Sequence, residues 1–249
     1  MISGIITIKD DNGNVIVRKK NSIPNTALQT FVSYAKQGGV VSNYQYLLNV
    51  LSNGTLQYQA TGSLSYSQTA SGLTATFVFV VQQLSVIVTC LQLVISSTFP
   101  INPLAVIQGL NIPPNTSFQV EWAITFTFLI TDLFTPYLVF ALLGCATFTN
   151  PPTPNVQYAY NQIKSGNYLT SPPTYYATAS GNTYQLTPAF SPTSMTMSYT
   201  LYANVTTTYD NVGIIAIGTN GNINITQSLA SVTLTTGQAL SIVYSASWS

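Results

Sequence analysis

From Phe118 to Ile130 the chain holds a period of two. Phe118, Val120, Trp122, Ile124, Phe126, Phe128 and Ile130 fall on one side, and Gln119, Glu121, Thr125, Thr127 and Thr131 on the other. Successive side chains of an extended strand point to opposite faces, so a period of two with one apolar side marks a strand lying against a core. Thirteen residues is well beyond the usual strand length of about five or six. Whatever fold this chain adopts must be built around that strand as a spine.

The same rule reads strands elsewhere. Leu73, Ala75, Phe77, Phe79 and Val81 share a face, and Leu84 to Ile95 is apolar on both, as expected of a central strand covered on two sides. Met195, Met197, Tyr199, Leu201, Ala203 and Val205 oppose Thr196, Ser198, Thr200, Tyr202 and Asn204, and the last strand puts Leu240, Ile242, Tyr244, Ala246 and Trp248 together. Asn53-Gly54, Asn220-Gly221 and Thr236-Gly237 punctuate these runs as turns, and Pro100 and Pro103 bracket another. Residues 132–147 are ambiguous, because Leu133, Tyr137, Leu138, Ala141 and Leu142 also suit a short helix capped by Asp132. Asn150-Pro151-Pro152-Thr153-Pro154 reads as a boundary, and residues 158–184 as a tyrosine-rich loop. Many strands at intervals of roughly ten residues predict an all-β fold, a jelly-roll-like β-sandwich with an N-terminal hairpin and one short α-helix. The expected organisation is a hairpin and helix segment over 1–39 and a sandwich body over 40–249, with a Pro/Tyr-rich connection near 150–192.

The opening segment has its own chemistry. The β-branched runs Ile6-Thr7-Ile8 and Val15-Ile16-Val17 flank Asp10-Asp11-Asn12-Gly13-Asn14, which predicts a hairpin with Asn12-Gly13 in positive-φ positions. After Pro24, Asn25 or Thr26 can cap a helix whose apolar face is Leu28, Phe31, Val32 and Ala35. A helix of about eleven residues is marginal alone, so that face needs a partner, either another protein or the body of the same chain. Seven of the eleven charges also fall here: Lys9, Asp10, Asp11, Arg18, Lys19, Lys20 and Lys36. Lys9, Arg18, Lys19, Lys20, Leu28, Phe31 and Val32 are therefore the candidate assembly contact.

Charge scarcity excludes much. Charged residues are 4% of the chain, against roughly 25% ordinarily, and there is no histidine. General acid–base chemistry needs positioned titratable groups. Glu121 and Asp132 lie eleven residues apart on one strand, about 36 Å at about 3.3 Å per residue, too far for a hydrolytic carboxylate pair. Asp10-Asp11 lacks the wider oxygen set that Ca²⁺ requires. No catalytic residue, cofactor or metal site is expected. A net charge of +1 argues against broad nucleic-acid binding, which requires several phosphates to be neutralised. Cys90 and Cys145 sit in apolar runs and read as buried free thiols or as one disulfide. Gln82-Gln83 interrupts the apolar stretch 73–96, and Asp132 with Pro136 interrupts 123–148, so no transmembrane span is expected. The first twenty residues alternate and end in charge, unlike a secretory signal.

Binding is better supported than catalysis. Tyr158, Tyr160, Tyr168, Tyr175, Tyr176 and Tyr184 offer amphipathic rings of the kind favoured at interfaces and on sugars, or they pack the loop onto the body.

Two stretches resemble a known group. Asp11-Asn12-Gly13-Asn14-Val15 with Lys20-Asn21-Ser22-Ile23-Pro24-Asn25 and a helix resembles the openings of phage and archaeal-virus structural proteins, with Ala27 where those often have glycine. Leu234-Thr235-Thr236-Gly237-Gln238-Ala239-Leu240-Ser241-Ile242-Val243-Tyr244 resembles their closing strand pair. The charge-poor middle, rich in Tyr, Thr and Asn, is similar to virion proteins of viruses infecting hyperthermophilic, acid-loving archaea, including the turreted icosahedral ones. The resemblance implies a jelly-roll capsid, turret, vertex or tail protein that self-assembles in the virion and contacts other virion proteins, with no catalytic residue. The alternative is a lectin-like host-attachment module that binds a surface glycan through the tyrosine-rich loop.

Overall fold

The structure, a computed structural model, describes residues 2–148 and 153–248. The expected boundary at Asn150-Pro151-Pro152-Thr153-Pro154 therefore falls largely outside the described residues. In chain order the first elements are β1 (Ile2–Asp10), β2 (Val15–Asn21), α1 (Asn25–Gln37), β3 (Gln45–Ser52), β4 (Thr55–Thr69), β5 (Gly72–Val81), β6 (Val88–Ser96), β7 (Ile101–Ile112) and β8 (Phe118–Thr127). Next come α2 (Phe134–Leu143), β9 (Thr147–Phe148), α3 (Pro154–Lys164), β10 (Tyr175–Ala179), β11 (Asn182–Leu186) and β12 (Ala189–Ser191). The last are β13 (Ser194–Tyr202), β14 (Thr207–Gly218), β15 (Gly221–Asn224), β16 (Leu229–Leu234) and β17 (Ala239–Ser247). The chain divides into two compact units, Met1–Thr30 with Val41–Thr127 and Leu142–Thr153, and Phe31–Val40 with Phe128–Ala141 and Pro154–Ser249.

The first unit holds a nine-stranded sheet in the order β2-β1-β8-β5-β4-β3-β6-β7, with β9 parallel to β4 and all other pairings antiparallel. A bridge from Ser22 to Val106 of β7 ties the chain just past β2 to the opposite edge, so the sheet nearly closes like a barrel. β8 lies between β1 and β5, and its Phe118, Val120, Trp122, Ile124 and Phe126 are buried as the alternation predicts. The strand stops at Thr127, short of the expected Ile130, because its neighbours run out: Ile2 pairs with Phe126, and Gly72 with Thr127. Leu129 and Ile130 are 75% and 71% exposed. β6 begins at Val88, later than expected, but lies between β3 and β7 as a central strand should. Pro103 sits inside β7 instead of in a turn. β7 hydrogen-bonds a full strand, β6, on one side only, the setting in which a strand tolerates proline.

The second unit contains a five-stranded sheet, β11-β10-β14-β15 with β16 also on β14, and a three-stranded sheet, β12-β13-β17. Tyr175, Ala177 and Ala179 of β10, Ile214 and Ala216 of β14, Met195 and Met197 of β13, and Ile242, Tyr244 and Ala246 of β17 are buried, as is Trp248 beyond the last strand.

There are three helices among the described residues, not one. α1 matches the predicted helix, and Leu28, Phe31, Val32 and Ala35 on its apolar face are buried within the chain. α2 resolves the ambiguous stretch as a helix, with the Phe134 and Thr135 amides both donating to Asp132 Oδ1 at 3.0 Å in an N-terminal cap. α3, β10 and β11 replace most of the expected loop over 158–184. Its helical signal is Pro154 in the first turn, where a missing N–H costs nothing, with buried Val156, Ala159 and Ile163 at helical spacing.

Candidate interaction surfaces

The β1–β2 hairpin is closed by its own turn chemistry. Asp10 Oδ1 accepts the amides of Asn12 at 2.9 Å and Asn14 at 2.8 Å, and Oδ2 accepts Asn14 Nδ2 at 3.1 Å. These donors, the Asn14 side chain foremost, hold the Asp10 carboxyl below its ordinary pKa. Gly13 alone takes positive φ, at 81°, and the register shifts between Ile8 and Lys9. The hairpin forms as expected, but Asn12 does not take the positive φ expected of it, and the reversal is a bulged loop.

That register fixes where the cations point. Thr7 pairs with Arg18, Ile6 with Lys19 and Ile5 with Lys20, so Arg18 and Lys20 share the face of Thr7 and Ile5, and Lys19 takes the opposite face. Lys9 forms a 3.5 Å ion pair with Glu121. Arg18, Lys19 and Lys20 are exposed, with no carboxylate within 4.0 Å among the described residues. Lys9, Arg18, Lys19 and Lys20 therefore lie together on one hairpin, whereas Leu28, Phe31 and Val32 are buried on α1.

The tyrosines are spread over several elements. Tyr158 and Tyr160 are on α3, Tyr168 follows it, Tyr175 and Tyr176 are on β10, and Tyr184 is on β11. Tyr175 is buried and the other five are half-buried. The Tyr175 hydroxyl donates to the Ala35 carbonyl at 2.5 Å, and burial pushes its pKa upward. The Tyr158 oxygen accepts the Asn224 amide at 2.6 Å, Tyr160 sets its ring edge-on to Phe140 at 5.6 Å, and Tyr184 stacks on Tyr199 at 4.5 Å. Tyr34 and Tyr137, outside the predicted set, are buried too. The Tyr137 oxygen accepts the Leu169 amide at 2.9 Å and donates to the Asn167 carbonyl at 3.3 Å, and the Tyr34 hydroxyl donates to the Gly39 carbonyl at 3.1 Å. Burial pushes the Tyr34 pKa up to about 12.

The titratable groups are scattered over separate tasks. Asp10 closes a turn, Glu121 pairs with Lys9, and Asp132 caps α2. Asp11 and Asp210 are exposed on different elements. Among the described residues no three His, Cys, Asp or Glu side chains gather as a metal site would need. The two cysteines are not bonded to each other: Cys90 is buried, as expected, and Cys145 is exposed, contrary to the burial expected of both. Among the described residues no helix is long and apolar enough to cross a membrane.

One further surface was not anticipated. β17 pairs antiparallel with β13 from Ser194–Ser247 to Tyr202–Ala239, and its other edge carries no strand among the described residues. Beside that edge lies a groove of about 200 Å³ whose lining mixes apolar Val212, Leu229, Ile242 and Val243 with polar residues such as Thr226 and Gln227. Leu229 and Val243 are 54% and 56% exposed. β17 reads Ala-Leu-Ser-Ile-Val-Tyr-Ser-Ala-Ser, without charge, proline or glycine, and so lacks the devices that ordinarily protect an open edge. The sequence shows that neutrality but not which edge stays open, since that is a matter of pairing between distant strands.

Comparison with known proteins gives one full-length relative to report. The chain is 37% identical over 253 residues, 100% of its own length and 98% of the other's, to a protein of Acidianus filamentous virus 2 (isolate Italy/Pozzuoli) named "Uncharacterized protein ORF258". No family model matches the chain, and no solved structure matches it.

Proposed function

We propose that this chain, which belongs to the family of the ORF258 protein of Acidianus filamentous virus 2, is a virion structural protein that associates with its own copies and with other virion proteins. The observation that carries this is the open, uncharged edge of β17. A strand edge presents a row of unpaired N–H and C=O groups, a template for another strand. Antiparallel pairing of β17 with β17 of a second copy is self-complementary, the arrangement a two-fold interface requires. It would join two three-stranded sheets into one, and no register sets like charges opposite each other. A net charge of +1 adds little repulsion between copies. Exposed Val243 and Leu229 add apolar area beside the new ladder. Burial of Leu28, Phe31 and Val32 within the chain favours β17 over α1 as the contact. A filamentous relative favours a place in the shaft or at its ends over a turret.

Light scattering on size-fractionated protein tests this, with wild type compared against Val243→Lys/Ser245→Lys, both exposed positions. Wild type should dimerise or assemble further as concentration rises, and the double variant should stay monomeric with an unchanged circular dichroism spectrum. A wild type that remains monomeric at several hundred micromolar would sink the proposal.

A further inference from the structure

We infer that the open stem of β2 is a docking strip for a phosphodiester backbone, with Arg18, Lys19 and Lys20 as its contacts. The near-zero net charge argues against broad nucleic-acid binding, but it does not describe the local distribution. Four of the six cations lie on one hairpin. Lys9 is taken up by Glu121 at 3.5 Å, and the other three have no carboxylate within 4.0 Å among the described residues. Of the seven residues of β2, Val15, Ile16, Arg18, Lys19 and Lys20 are exposed and the other two are half-buried, so its three cations are open to solvent. Two residues of strand separate Arg18 from Lys20, about 6.6 Å on one face, and Lys19 projects from the other. The cations thus wrap the strand and can follow a polymer running along it.

The acidic groups of the hairpin sit at its other end. Asp10 has both carboxylate oxygens engaged by turn donors, which leaves exposed Asp11 at the tip, away from Lys20 at the stem. A polyanion would therefore track the stem. A second copy of this chain is a poor occupant. Of its five carboxylates, Asp10 is held in the turn, Glu121 is ion-paired and Asp132 is a helix cap, which leaves Asp11 and Asp210 on different elements. A partner from outside the chain is required, one with closely repeated negative charge. A nucleic-acid duplex carries one charge per about 1.7 Å of axis and binds flexible cations without a shaped pocket, driven by counterion release. The guanidinium of Arg18 adds a fork suited to two phosphate oxygens.

Three contacts predict a modest, salt-sensitive affinity. The slope of log K against log salt should be about −2.7, so binding weakens roughly 40-fold between 50 and 200 mM salt. Fluorescence anisotropy of a labelled 20-base-pair duplex titrated with the full chain measures this. The variant Arg18→Gln/Lys19→Gln/Lys20→Gln should lose binding at 50 mM salt while keeping the wild-type melting temperature, and Lys36→Gln/Lys164→Gln should bind as wild type does. No anisotropy change at 50 mM salt, or a triple variant that binds unchanged, would overturn the inference. Displacement of the duplex by polyglutamate at equal charge concentration would also overturn it, in favour of an acidic protein surface. None of these outcomes depends on whether β17 pairs with a second copy.

Discussion

The hydroxyl of Tyr244, on the last strand, donates a 3.3 Å hydrogen bond to Oδ1 of Asp132, the same oxygen that accepts the first amides of α2. Burial raises the pKa of this carboxyl above its ordinary 3.8, while the side chain and amide of Thr135, the amide of Phe134 and Tyr244 pull it back. Burial is the larger effect, so folding favours the protonated form. A chain with no histidine and five carboxylates has few groups through which pH can act on stability, and Asp132 is the half-buried one among them that faces a second buried titratable group.

The pH dependence follows from the sign of that shift. A carboxyl whose pKa is raised by folding stabilises the fold below its unfolded pKa, and this contribution is lost as pH rises through the folded value. Asparagine also caps helices but does not ionise. Asp132→Asn should therefore be more stable than wild type at pH 7, and the two should converge near pH 3. Tyr244→Phe removes a donor to the charged form and should cost about 1–3 kcal/mol at pH 7, and less at pH 3. Urea midpoints at both pH values decide this. A destabilised Asp132→Asn at pH 7 would mean that the donors outweigh burial.

Gly62 lies where β4 changes partners and where a neighbouring ring leaves no room for a side chain. β4 pairs with β3 through Thr61 and with β5 from Gly62 onward. A Cβ on Gly62 would lie 2.3 Å from the ring of buried Phe79 and 2.7 Å from the Val78 carbonyl oxygen. Gly62→Ala should destabilise by about 1–3 kcal/mol, as overpacking does. Adding Phe79→Leu should recover part of the loss relative to Phe79→Leu alone, because the two sites share a contact. Strictly additive losses in guanidinium unfolding would show that the ring is not what alanine meets.

Local pattern was enough to read β8, β17 and α1, since each has one apolar face and its burial follows from that face alone. It failed where partners decide. Phe128 and Ile130 continue the alternation of β8, yet the strand ends where β1 and β5 stop offering residues to pair. α3 was masked by tyrosine, asparagine and glutamine around Val156, Ala159 and Ile163, a composition that reads as loop. The basic hairpin was legible as residues but not as a surface. Its exposure depends on β2 ending the sheet, and its effective charge depends on Lys9 meeting Glu121 across β1 and β8. The tyrosines left two readings open, a surface or packing of the loop onto the body, and Tyr158 and Tyr175 are held by hydrogen bonds to distant backbone.

The two cysteines should separate cleanly by reactivity. The thiolate is the nucleophile, so exposure and pKa together set the rate. Cys90 is buried on β6, and burial raises its pKa, so both factors slow it. Cys145 is exposed in the segment between α2 and β9. Native protein treated with a chromogenic disulfide reagent at pH 8 should release one equivalent per chain quickly and a second only after denaturant is added. Cys145→Ser should abolish the fast phase and leave the slow one, with Cys90→Ala doing the reverse. Two fast equivalents would show that β6 opens on the timescale of the reagent, and none until reduction would show that the thiols are joined.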